Sequence, residues 1–151
     1  MTAVDDKGIG RFVLGGAQFG LDYGITNALG RIGAAEAARI LNSAARAGVR
    51  QIDTAHAYGE SEAALGAILC ATPSLRFRIV TKLSPLDELA DDCAGAQVIA
   101  QVDASLKESL AHLGRTTLDA VLLHRSAHLV GWNGMIWARL REMQQIGRAH
   151  V

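Results

Sequence analysis

Four side chains in this 151-residue sequence have the types and spacing of proton-transfer groups: Asp53, Tyr58, Lys82 and His124. A tyrosine is a poor acid near neutral pH. A neighbouring ammonium stabilises the phenolate left behind when the tyrosine gives up its proton. Lys82 could supply that charge, and Asp53 could hold Lys82 in place and keep it protonated. His124 could donate a hydrogen bond to a substrate oxygen. Tyr58 would then protonate an oxyanion as it forms, which is general acid catalysis. Taken singly, each residue has a plainer reading: Asp53 as a turn cap, Tyr58 as loop packing, Lys82 as a solvated strand end, His124 as a hydrogen-bonded structural residue. The chemistry depends on the four converging.

Convergence needs elements that end in one place. Arg11 to Leu14 is a short apolar run leading into Gly15-Gly16 and a glycine-rich loop, Ala17 to Gly33. Ala34 to Ala47 repeats apolar Ala37, Ile40, Leu41, Ala44 and Ala45 at helical spacing, and Gly48 stands where a C-terminal cap belongs. Strands are expected over Arg50–Thr54 and Phe77–Lys82, with a short helix over Ser61–Leu69 stopped by Pro73. Gln97–Leu113 carries Ile99, Val102, Leu106, Leu110 and Leu113 on one helical face. Leu118–Leu123 is nearly continuous apolar sequence, the pattern of a strand buried on both faces. Gly134–Gln145 is a last helix turning Ile136, Leu140 and Met143 inward.

Strands that alternate with helices imply parallel pairing and right-handed crossovers. An open doubly wound sheet and part of a closed (β/α)8 barrel both fit, and periodicity does not choose between them. The first loop lacks G-x-G-x-x-G, and its glycines do not open directly into a helix, which counts against a Rossmann domain. In a barrel, Asp53, Lys82 and His124 at consecutive strand ends, with Tyr58 just after the second, fall on the rim where active sites are built.

Composition narrows the classes. Half the residues are hydrophobic, so the chain can bury a core. Fifteen basic and fifteen acidic residues cancel, and no basic stripe appears, so nucleic acid is not an expected partner. Cys70 and Cys93 have no metal-type spacing and read as two reduced thiols; no metal is expected. There is no secretion signal pattern and no apolar run long enough to cross a membrane. A cytoplasmic protein is expected.

The stretch Gly48-Val49-Arg50-Gln51-Ile52-Asp53-Thr54-Ala55-His56-Ala57-Tyr58-Gly59-Glu60-Ser61-Glu62 closely resembles the signature of the aldo-keto reductases. Val80-Thr81-Lys82 resembles that family's lysine strand, and Leu122-Leu123-His124 its histidine strand. Leu14-Gly15-Gly16-Ala17-Gln18-Phe19-Gly20 resembles its first strand and loop, and the likeness runs from about Arg11 to Gln145. It implies a (β/α)8 barrel that passes hydride from a nicotinamide cofactor, NADPH with NADH as the alternative, to an aldehyde or ketone. It also implies that Tyr58 is the proton donor, that Lys82 and Asp53 tune it, and that His124 orients the carbonyl. Gly16, Ala17 and Asp53 would lie near the nicotinamide ribose. His56 and His128 match no family role and read as rim loop residues. Trp137 reads as packing, and Trp132 could line a substrate pocket. The loop from Gln18 to Gly30 faintly resembles family members of sugar and surface-polysaccharide metabolism, so a sugar-derived carbonyl is one expected substrate.

The resemblance covers about the first four of eight βα units: residues 1–145 as the N-terminal half of the barrel. A complete barrel needs about 250 residues. Residues 146–151, Ile-Gly-Arg-Ala-His-Val, end a helix without the strand that should follow. They match one reading frame of a common sequencing adapter and are expected to be a non-native read-through tail. A half barrel would expose a strand edge and an apolar interior face, through which the fragment could self-associate. Its own turnover is expected to be slight, with reductase activity belonging to the full-length parent. The alternatives are a non-catalytic, NADPH-binding regulatory subunit and a functionless fragment.

Overall fold

The computed structural model describes residues 12–28, 30–90, 92–147 and 149. Arg11, the expected start of the first strand, lies outside them. Four strands alternate with four helices: β1 (Val13–Gly15), α1 (Ala34–Arg46), β2 (Gln51–Asp53), α2 (Ser61–Ala71), β3 (Arg78–Lys82), α3 (Gly95–Leu113), β4 (Ala120–Leu122) and α4 (Met135–Gln145). The strands form one parallel sheet in the order β1-β2-β3-β4. Sequential, all-parallel neighbours joined by helices are the pattern of a (β/α)8 barrel cut after its fourth unit, not of a doubly wound sheet, whose strand order reverses.

Alternation along each strand sets the two faces. Ile52, Ile79, Thr81 and Val121 are buried. They meet a core that includes Leu41 of α1, Leu65 of α2, Val98 and Val102 of α3, and Ile136 and Leu140 of α4. The opposite parity, Val13, Gln51, Asp53, Arg78, Val80, Lys82, Ala120 and Leu122, faces the barrel interior. The expectation that β4 is buried on both faces is therefore corrected. Leu122, on the edge strand of the four-stranded sheet, is 46% exposed. The interior face is mixed rather than apolar, carrying Gln51, Arg78, Asp53 and Lys82 beside Val13 and Leu122.

The helices follow their patterns with one exchange. The inward stripe of α3 is Val98, Val102, Ser105, Leu106, Ser109 and Leu113, while Ile99 turns outward. A stripe that includes two serines at helical spacing was hidden from a purely apolar reading. Gly66 explains how closely α2 and α3 pack, since a Cβ there would lie 2.1 Å from the His112 carbonyl oxygen. The termination signals act as expected: Gly48 and Gly114 take positive φ, +96° and +62°, just after α1 and at the end of α3. Beyond α4, Ala149 is buried and forms a parallel bridge with Leu118, so the chain returns to the outer edge of the sheet beside the start of β4. Ala149, within the expected tail, thus makes a strand-like contact there; residues 148, 150 and 151 lie outside the described residues.

Candidate active site

Register explains how Asp53 and Lys82 meet and where the chain leaves β4 toward His124. Asp53 pairs with Val80, Val80 with Ala120, and Lys82 with Leu122. Lys82 thus stands two residues further up the sheet than Asp53, and His124 two residues beyond Leu122. Steps of two preserve the side-chain face and shift each strand end by about 7 Å, the tilt of a barrel wall. Asp53 and Lys82 therefore project to the same interior face, at the C-terminal rim.

Lys82 is the hub. Its Nζ donates to Asp53 Oδ1 at 2.9 Å, to Asp53 Oδ2 at 2.8 Å and to the Thr54 carbonyl at 2.9 Å. Three donors meet three acceptor atoms, which fixes the ammonium. The same Nζ lies 4.9 Å from the centre of the Tyr58 ring. The cation thus sits over the face of the tyrosine, the geometry of a cation–π contact. Among the described residues the Tyr58 hydroxyl makes no hydrogen bond, which leaves it to a ligand.

The loop that carries Tyr58 is held by close backbone approach. Gly59 has φ +54°, and a Cβ there would lie 2.6 Å from the Gly20 carbonyl oxygen. A Cβ on Gly20 would lie 1.8 Å from the Tyr58 carbonyl oxygen. Only a glycine pair lets the first loop and the Tyr58 loop touch in this way. Beneath them, Ser61 Oγ donates to the Gly16 carbonyl at 2.8 Å and pairs with Thr54 Oγ1 at 2.8 Å. The Gly16 amide donates to the Asp53 carbonyl at 2.7 Å. Gly16 is buried with both backbone polar groups engaged, and a Cβ there would come 3.0 Å from the Asp53 carbonyl oxygen. It sets the spacing of β1 against β2. Ala17 is half-buried and opens a short 3-10 turn, Ala17–Phe19. The roles of Gly20, Gly59, Ser61 and Thr54 escaped the sequence reading. Their signal was present only as glycines and small hydroxyls inside the two matched motifs.

His124 is half-buried, and its Nδ1 is enclosed with no partner among the described residues. Burial first, then the positive charges of Arg125 and Lys82, hold its pKa below the ordinary 6.5, against a smaller opposing effect from Asp87. His124 is therefore neutral at pH 7 and carries one N–H. Nδ1 has no acceptor to donate to, so that hydrogen belongs on Nε2.

The remaining candidates separate. His128 lies in the short 3-10 turn after β4 and is buried there: it is 2% exposed, and its Nε2 donates to the Pro85 carbonyl at 3.0 Å. Burial is the main cause holding its pKa below the usual histidine value. Trp132, at φ +48°, donates from Nε1 to the Ala90 carbonyl at 2.9 Å and lies 6.4 Å from the His128 ring. Together they join the loops after β3 and β4. Trp137 lies under the Arg141 guanidinium at 6.0 Å. His56 Nε2 is 2.9 Å from Glu108 Oε2 on α3. Cys70 and Cys93 are both free thiols. No metal-ligand cluster occurs among the described residues, and none of their helices is long and apolar enough to cross a membrane.

A parallel βα half barrel with a Lys–Asp pair and a tyrosine on its C-terminal rim is the class of molecule that fold and site define, and comparison with known proteins identifies its family. The model of the Aldo/keto reductase family matches residues 11–150. The chain is 32% identical over 115 residues to an aldo-keto reductase of Mycolicibacterium smegmatis, covering 72% of this chain and 37% of that protein. It is 34% identical over 111 residues to an aldo-keto reductase of Mycobacterium tuberculosis, covering 69% and 36%. A crystal structure from Pseudomonas aeruginosa, named as an aldo-keto reductase, superposes with TM-score 0.71 at 28% identity over 91% of this chain and 52% of that one. The chain belongs to the aldo/keto reductase family. It spans little more than a third of the length of these curated relatives and about half of the solved structure.

Proposed function

We propose that this chain forms the proton-donating half of an NAD(P)H-dependent reductase that converts an aldehyde or ketone to an alcohol, the activity belonging to the protein that carries the whole barrel. The observation that carries the reading is the Lys82 ammonium, fixed by the Asp53 carboxylate at 2.8 Å and poised over the Tyr58 ring.

Asp53 suits a cofactor ribose. Its carboxylate side chain is 35% exposed at the rim, and two ionised oxygens accept more hydrogen bonds than Lys82 takes. A reduced nicotinamide, when bound, supplies the hydride that adds to the carbonyl carbon. The residues of this chain handle the oxygen. His124, neutral, directs Nε2–H at the carbonyl oxygen and orients it. Tyr58 gives its proton to that oxygen as charge builds there. Lys82 stabilises the phenolate that remains, and Asp53 holds Lys82 in place. Solvent then returns a proton to Tyr58.

NADPH is the cofactor we favour, and a sugar-derived carbonyl is among the substrates. A cytoplasmic location accords with the two free thiols. The test is a panel of aldehydes, ketones and open-chain sugars offered with NADPH or NADH to the protein bearing all eight units. Oxidation of the cofactor coupled to alcohol formation is the expected result. Tight cofactor binding without turnover on any carbonyl would remove the reading.

A further inference from the structure

His56 stands between Asp53 and Tyr58 in the loop that leaves β2, and no role in the proposed reaction falls to it. Its backbone N–H reaches the Lys82 carbonyl at 3.4 Å, a long bond, whereas Thr54 N–H reaches the Val80 carbonyl at 2.8 Å. The loop therefore loosens from the sheet as it approaches Tyr58. Past His56 its backbone bonds are local, Tyr58 N–H to the Ala55 carbonyl and Ser61 N–H to the Tyr58 carbonyl.

The side chain of His56 adds a second long-range tie to the long backbone bond. Nε2 lies 2.9 Å from Glu108 Oε2, fifty-two residues away on α3. The imidazole is mostly covered, at 24% exposed, while the carboxylate is open to water. One helical turn further, His112 faces the same ring at 6.5 Å between centroids. His112 Nδ1 is in turn 3.6 Å from Oε2 of the buried Glu62. His56 is thus fixed at both ends: its amide leans on Lys82, the residue whose ammonium lies over Tyr58, and its ring is held by the long helix behind the sheet.

We propose that His56 and Glu108 are a positioning pair that sets the Tyr58 loop against Lys82. The inference deepens the proposed reaction and rests on it. A hydrogen bond to a charged carboxylate is stronger than a neutral one, and misplacing a reacting group by about 1 Å can cost on the order of a hundredfold in rate. Loss of the pair moves Tyr58 and leaves substrate-binding groups in place, so kcat falls and KM does not.

Two measurements test this. In the 151-residue chain, amide hydrogen exchange of the Ala55–Gly59 segment should quicken in His56→Ala and in Glu108→Ala. It should stay at the wild-type rate in His56→Gln, whose amide can still donate to Glu108. In the whole-barrel protein, the two alanine variants should each lower kcat roughly tenfold or more with KM unchanged, the double variant should be no worse than either single one, and His56→Gln should recover most of the rate. Unchanged exchange with kcat within about twofold of wild type overturns the proposal, as does faster exchange spread over the whole chain. If the wild-type whole barrel reduces no carbonyl, the proposed reaction falls, and the exchange data still decide whether the pair holds the loop.

Discussion

The Lys82 ammonium sits 4.9 Å above the centre of the Tyr58 ring while both oxygens of Asp53 hold it from the side. The cation faces the aromatic ring rather than ending in a solvated strand terminus. All of the ammonium's hydrogens are directed at Asp53 and Thr54, and among the described residues no partner takes the Tyr58 hydroxyl. The division of labour proposed for the site follows from this placement.

Asp53→Asn keeps the shape of the acid and removes its charge. The ammonium then loses its counter-ion and the fork that fixes it. We expect kcat of the whole-barrel protein to fall by roughly ten- to a hundredfold, in the range of general acid–base effects, with the fold intact by circular dichroism. Steady-state kinetics check this.

Acid should weaken the fold. His124 and His128 both have folded-state pKa values below the ordinary 6.5, chiefly through burial. Once pH falls to about 6.5, the unfolded chain binds protons at these positions that the folded chain does not. Stability is then lost as pH drops through that value and is fully present above it. Chemical denaturation at about pH 7.5 and about pH 5.5 should show the lower midpoint in acid. His128→Gln should flatten the difference, because its amide can still donate to Pro85 but takes up no proton.

Ser61→Ala should destabilise the chain by about 1–3 kcal/mol. It strips the buried Thr54 hydroxyl of its partner and leaves the Gly16 carbonyl without the Ser61 donor. Urea unfolding of the 151-residue chain measures the loss.

Gly20→Ala should cost about 1–3 kcal/mol or more, as overpacking does, because its Cβ would fall 1.8 Å from the Tyr58 carbonyl oxygen. A backbone atom cannot turn aside as a side chain can. The loop must shift, and its exchange protection should drop around Tyr58 before it drops elsewhere.

Much of this was legible in the order of elements. The βα alternation was plain, and the long motif around Asp53 and Tyr58 chose the barrel where periodicity could not. The strand-end residues were readable because parallel strands share a direction, so chemistry at their C-terminal ends gathers on one rim. What stayed hidden depends on contacts between segments far apart in the chain. Gly20 looks like any loop glycine until Tyr58 lies against it. His128 resembles a polar loop residue until the loop after β3 closes over it. Ser105 and Ser109 interrupt the apolar stripe of α3, so the sequence favoured Ile99 for a position the helix turns outward. The covering of β4 was misjudged for a different reason: its apolar run suits a strand covered on both faces, and β4 is the edge strand of the four-stranded sheet.

Tyr58→Phe in the whole-barrel protein tests the central claim most directly. The phenyl ring keeps its place over the Lys82 ammonium and loses only the proton. The account predicts that kcat falls on the order of a hundredfold or more, while affinity for the reduced cofactor is unchanged. Turnover within a few-fold of wild type would contradict it and return the acid to another group.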